Sequence, residues 1–230
     1  MALILNLETA TTVCSVALAK DGQLLSSKEI NGDYTHAENL TRFIEIALQE
    51  ANHTLADLDA IAVSKGPGSY TGLRIGVSTA KGLCYALDKP LIALNTLEHS
   101  AYTCSLTYGE KNDLVCPMID ARRMEVYCAV YTKTHQLIRS TAAEIIDEHS
   151  FNDLLEKHRI YFFGDGAEKC KSVLGNNPNA VFIDSLYPSA SHMILLSEKA
   201  YINRSFEDVA YFEPFYLKDF VAGKKKSKGQ

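Results

Sequence analysis

Apolar positions gather near the start of the chain in two short runs, "LILNLE" (residues 3–8) and "CSVALA" (14–19), which predict two strands. The pair Asp21-Gly22 then marks a hairpin into a third, "QLLSSKEI" (23–30). The period changes across "THAENLTRFIEIALQEA" (35–51): Leu40, Phe43, Ile44, Ala47, Leu48 and Ala51 recur at i, i+3, i+4, an amphipathic helix that Thr35 can cap. "LDAIAVSKGPGS" reads as a buried strand over 60–64 running into a Gly66-Pro67-Gly68 turn, with Ser69 or Thr71 as cap of the helix that follows. A short strand over 91–96 follows Pro90.

The second half restarts the plan. Residues 113–120 and 124–131 predict strands joined by a tight connection, "HQLI" begins a third, and 147–157 reads as a helix. "RIYFFGDGAEKC" is strand, Gly-Asp-Gly turn and helix start; a helix is expected over 189–203, then an extended "EPFYLKDF" in which Pro214 stops any helix. Two lobes of like topology are expected, 1–108 and 109–222, meeting near 107–112, with a basic tail at 223–230.

The stretch "SKGPGSYTGLRIGVSTAKGL" (64–83) invites a phosphate-loop reading, which its order of residues defeats. A Walker loop places lysine directly after its last glycine. Here the order is Lys81-Gly82, about 15 Å of helical rise beyond the turn. On a helical wheel 71–87 carries a narrow polar stripe of Arg74, Ser78 and Lys81, apolar cover elsewhere, and a flat seam of Gly72, Gly76 and Thr79. A helix so widely apolar packs on two sides: its own sheet, and either another element of the chain or another protein.

With 230 residues and 47 % hydrophobic content, the chain can bury a sizeable core. A net charge of -5 argues against binding RNA alone through phosphate neutralisation. The tail "GKKKSKGQ" is the one basic run, read as solubilising or as touching a polyanion. No apolar run approaches the length of a membrane span, and cytoplasmic residence is expected. The six cysteines form no Cys-x-x-Cys pair and are expected as free thiols; none of the seven histidines supplies a zinc-site pair.

"NLETATTVCSVAL", "SKGPGSYTGLRIGVSTAKGLCYALDKPLIALNTLEH", "IDARRMEVYCAVY", "FFGDGA" and "EPFYLKD" together resemble the bacterial TsaB (YeaZ) family over nearly the whole chain. The resemblance implies an α/β, actin/hexokinase-like (ASKHA) fold: two lobes of mixed sheet with flanking helices, paralogous to the catalytic subunit TsaD. It implies a non-catalytic subunit in the threonylcarbamoylation of the adenosine beside the anticodon of tRNAs reading ANN codons. The implied partners are TsaD and the ATPase TsaE, with tRNA reached through the complex.

In TsaD a His-x-x-x-His pair binds metal; the matching positions here are Thr96 and Ser100, with His99 out of register, so no metal site is expected. The first phosphate hairpin of the superfamily, Asp-x-Gly-Thr, reads Asn6-Leu7-Glu8-Thr9, and the second, Asp-x-Gly-Gly, reads Asp120-Ala121-Arg122-Arg123. Arg122 and Arg123 can attract an anion or form salt bridges. Thr9, Gly164 and Gly166 remain as candidates for ATP or ADP, at a composite site with partners only, with no cofactor held by the chain alone.

The family packs its first two long helices against the matching pair of TsaD. That implies an interface of Leu40, Phe43, Ile44, Ala47, Gly72, Leu73, Gly76, Val77 and Ala80, and a homodimer in isolation. The competing class is an enzyme: an ATPase, a small-molecule kinase or a peptidase. Asp120 or Glu8 would be its base; Ser64, Ser69 and Cys104 are nucleophiles by type alone.

Overall fold

The computed structural model describes residues 2–32 and 36–218; the Thr35 cap and the basic tail lie outside the described residues. Strands β1 (Leu3–Glu8), β2 (Val13–Lys20) and β3 (Gln23–Asn31) form an antiparallel meander, and β4 (Ala60–Gly66) and β5 (Leu91–Asn95) add to it in parallel, giving the order β3-β2-β1-β4-β5. The second sheet repeats this plan: β6 (Leu114–Asp120), β7 (Glu125–Thr132) and β8 (Leu137–Ile145) form the meander, β9 (Ile160–Phe163) and β10 (Ala180–Phe182) the parallel pair, in the order β10-β9-β6-β7-β8. Matching strands stand in matching places, the duplicated plan of the actin/hexokinase-like fold.

Helices α1 (His36–Glu50) and α2 (Tyr70–Leu87) cover one face of the first sheet. Ser69 is the cap of α2: its hydroxyl accepts from Gly72 N–H at 3.3 Å. Alternation along β1 decides what each face sees. Leu3, Leu5 and Leu7 meet Leu40, Ile44, Val77 and Ala80, while Ala2 and Ile4 turn to the opposite face. On the second sheet, α4 (Asn152–Leu155) and α5 (Ala167–Leu174) cover one face with Leu155, Cys170 and Leu174. The helix expected over 147–157 is thus a single turn, preceded by Phe151 at φ 64°.

The helix that ends each repeat packs on the other repeat's sheet. Helix α3 (Thr96–Thr107), which follows β5, buries Leu97, Ala101 and Cys104 against Val115, Ile119 and Phe163 of the second sheet. A 3₁₀ turn (Ala190–Met193) and α6 (Ile194–Ile202), which follow β10, return to the first sheet: Met193 and Leu196 lie against Ile4, Ala62 and Ile92. The expected lobe boundary therefore fails for 190–217, which pack on the first lobe although they follow the second in sequence. Pattern analysis also assigned no helix to 97–107. Thr96, Leu97, His99, Ser100, Ala101, Cys104 and Ser105 are all buried, so α3, wedged between lobes, has no polar face and shows no stripe.

Candidate functional site

The first hairpin, between β1 and β2, is seated on α2 through glycine. A Cβ on Gly72 would lie 2.1 Å from Thr9 O, one on Gly76 2.3 Å from Thr9 Oγ1, and one on Gly68 2.3 Å from Ala10 O. Thr9 Oγ1 donates to Gly72 O at 2.8 Å, Ser69 N–H donates to Ala10 O at 2.6 Å, and Ala10 N–H donates to Glu8 Oε1 at 2.6 Å. The Thr9 hydroxyl and the Ala10 N–H are thus bonded within the chain, and Thr9 is fully buried. The glycine seam of α2 serves this hairpin.

The second hairpin carries arginines in a left-handed backbone. Arg122 and Arg123 hold φ 69° and 47°, a left-handed conformation that costs roughly 1–2 kcal/mol per non-glycine residue. Both side chains are exposed, while Asp120 is paired with Lys169 and accepts from Arg122 N–H at 3.1 Å. Gly164 and Gly166 in the third turn also answer to packing. Added Cβ atoms would come within 2.2 Å of Met118 O and 2.8 Å of Ile119 C. Between them, burial and then the Asp120 carboxylate push the Asp165 carboxyl up to about 6.

What remains of the interlobe site is a cleft of about 410 Å³ lined by Thr12, Asn31, Gly164, Asp165, Glu168 and Asp184 among others. Its one lysine, Lys171, is held by Glu168 at 2.7 Å and Asp184 at 2.5 Å. Carboxylates dominate this rim, so it repels a bare phosphate.

Below the first hairpin lies a buried polar cluster. His99 Nε2 is 2.8 Å from Glu8 Oε2 and 3.5 Å from Ser64 Oγ, whose hydroxyl is 2.7 Å from Thr96 Oγ1. All four residues are fully buried. A Ser-His-carboxylate relay uses both imidazole nitrogens; here serine and carboxylate meet the same one, so the geometry is not that of a hydrolase triad. Burial pushes the neighbouring His192 down to about 4, with His99 adding to the effect. Ser69 is spent as the α2 cap, and burial pushes the Cys104 thiol up to about 12, far from a reactive thiolate. All six cysteines are free and buried. Among the described residues no three His, Cys, Asp or Glu side chains converge as metal ligands.

The expected interface residues fall mostly inside the molecule. Leu40, Ile44, Ala47, Leu73, Val77 and Ala80 are buried in the first-lobe core, and Gly72 and Gly76 lie under Thr9. Only Phe43 is partly exposed. The physical reason is competition: the most apolar stripe of a helix goes to the sheet in its own chain. Phe43 and Ile46 on α1 and Ile75 and Thr79 on α2 are half-buried, Phe43 and Ile75 also packing on the first-lobe core, while Gly82 and Ala86 are exposed. Gly82 is exposed within α2, and an added Cβ would meet nothing within 4 Å.

Fold and site together define a two-lobed actin/hexokinase-like protein whose first hairpin is bonded to α2 through Thr9 and whose second pairs Asp120 with Lys169. The family model described as "TsaD: tRNA N6-adenosine threonylcarbamoyltransferase" matches residues 25–226. A relative from Escherichia coli strain K12 named tRNA threonylcarbamoyladenosine biosynthesis protein TsaB is 30% identical, covering 96% of this chain and 97% of its own. A solved structure from Pseudomonas aeruginosa, described as similar to peptidase YEAZ, superposes with a TM-score of 0.83 at 28% identity over 95% of this chain and all of its own. The fold alone is shared with the activator of 2-hydroxyisocaproyl-CoA dehydratase from Clostridium difficile: TM-score 0.53, 9% identity, 88% of this chain and 96% of that one. The chain belongs to the TsaB (YeaZ) family.

Proposed function

We propose that this chain is a non-catalytic subunit of tRNA threonylcarbamoyladenosine biosynthesis that works by seating a TsaD-like catalytic paralogue on the outward face of α1 and α2. The name carried by its TsaB relatives and the match to the TsaD family model support this reading. The observation that carries it is Gly82. A glycine inside a helix costs about 1 kcal/mol relative to alanine. Its neighbourhood inside the chain offers no compensating contact, whereas a second helix approaching closely would. Small residues Ser78, Thr79 and Ala86 widen the approach, and Phe43, Ile46 and Ile75 supply apolar anchors. An interface of ordinary size, about 800 Å² per partner, fits a helix pair of this length.

Without its paralogue the same face pairs two copies of this chain. A TsaE-like ATPase joins the complex, tRNA is contacted through it, and ATP or ADP is held only where partners complete the cleft, all in the cytoplasm. No described helix is long and apolar enough to cross a membrane. The test is solution mass by light scattering, alone and with a TsaD-like protein, for the native chain and Gly82→Glu. The expected result is a dimer that exchanges into a heterocomplex, and a folded Gly82→Glu chain that forms neither. A native chain that ignores its partner, or a variant that binds normally, overturns the reading. Nucleotide turnover by the chain alone would favour the enzyme class instead.

A further inference from the structure

Residues 207–218 run from one lobe to the other across α2. The segment leaves the edge of the first sheet, where Glu207 N–H donates to Leu91 O at 2.9 Å. Val209 and Phe212 pack on the first-lobe core, and Lys81 Nζ donates to Phe212 O at 2.8 Å and Ala210 O at 3.3 Å. Phe215 N–H donates to Lys65 O at 2.7 Å, and the Tyr216 ring meets that of Tyr70, in the first turn of α2, at 5.0 Å. Lys218 then pairs with Glu125 at the start of β7. Glu125 also holds Lys169 through its backbone carbonyl, which accepts from Lys169 Nζ at 2.6 Å, and Lys169 pairs with Asp120 of the second hairpin.

The two ends are fastened unequally. On the first lobe the segment has half-buried apolar contacts and several hydrogen bonds; on the second, among the described residues, it has one ion pair with both side chains part-exposed. An exposed pair contributes at most about 1 kcal/mol and weakens in salt, so this end releases first.

We propose that residues 207–218 are a clasp that sets the closure of the interlobe cleft, with Lys81 as its pin on α2 and Glu125 as its catch on the second lobe. Because the pin sits on the helix that seats the partner, partner binding and cleft closure are coupled; this coupling rests on the function proposed above. The clasp itself does not.

The test places spin labels at Asn31→Cys and Glu168→Cys, exposed positions on opposite rims of the cleft, where the six buried native thiols do not compete. The native chain is expected to give a main short-distance population with a minor longer one. Lys218→Glu, which sets like charges together, should raise the longer-distance population roughly threefold. Salt at 1 M should do the same to the native chain and add little to the variant. Lys81→Met should loosen the cleft likewise and remove the further narrowing that partner produces in the native chain. Melting curves confirm that each variant is folded, and light scattering reports partner binding on the same samples. Unchanged distributions in folded Lys218→Glu and Lys81→Met overturn the clasp even if the partner binds. If the partner fails to bind, the functional reading falls while the charge and salt arms still decide the clasp.

Discussion

The two lobes share a strand order and differ in their helix layer. In the first, α1 and α2 run 15 and 18 residues; in the second, α4 and α5 run 4 and 8. Four to five turns suffice to cover a five-stranded sheet and still present an outward face; one or two turns are consumed by the sheet. The duplicated fold has thus kept its core twice and a pair of long helices once. The lobes are also interlocked, because each donates its last helix to the other's sheet.

The largest expected effect tests that interlock. Phe162→Ala, deep in the second-lobe core, should lower stability by about 3–5 kcal/mol. With α3 and α6 exchanged, both lobes should still melt in one transition, seen by calorimetry; a second lobe that melts by itself would break the comparison. Next, Gly72→Ala should cost about 3 kcal/mol in denaturant unfolding, since the Thr9 carbonyl must move to admit a methyl group. A neutral result would mean that the first hairpin is not seated by glycine.

Two pH effects of opposite sign follow from burial. His192, held near 4 when folded and near 6.5 when unfolded, binds more protons unfolded, so stability falls as pH drops from about 6.5 to 4. The loss at pH 5 should be about 2 kcal/mol and should vanish in His192→Leu. Asp165, raised to about 6, binds more protons folded, so its ionisation costs stability as pH rises through that range. Asp165→Asn keeps an acceptor for Asp120 N–H and should gain about 1–2 kcal/mol at pH 7, with the gain fading near pH 4. The smallest effect is the most telling for function. Gly82→Ala should stabilise the isolated chain by up to about 1 kcal/mol while weakening association; equal binding would detach Gly82 from the interface.

What could be said of the candidate site beforehand followed from the resemblance, which implies where the superfamily's phosphate hairpins fall. Asn6, Glu8, Arg122 and Arg123 stand where phosphate hairpins need aspartate and glycine, and the structure shows both hairpins tied into the chain. The expected interface residues lie mostly in the first-lobe core. Leu40, Ile44, Leu73 and Val77 form the stronger apolar pattern, and a periodicity cannot say whether the surface it meets belongs to the same chain.

Sequence alone determined the repeat, nine of the ten described strands and the two long helices α1 and α2, since these depend on local periodicity, and the resemblance supplied the reading of the hairpins. Tertiary structure decided which faces were already taken. It put Gly72 and Gly76 under Thr9 and left Gly82 in solvent, sent α3 and α6 to opposite sheets, and drew Lys218 across to Glu125. Those outcomes follow from long-range competition for buried surface, which no window of neighbouring residues contains.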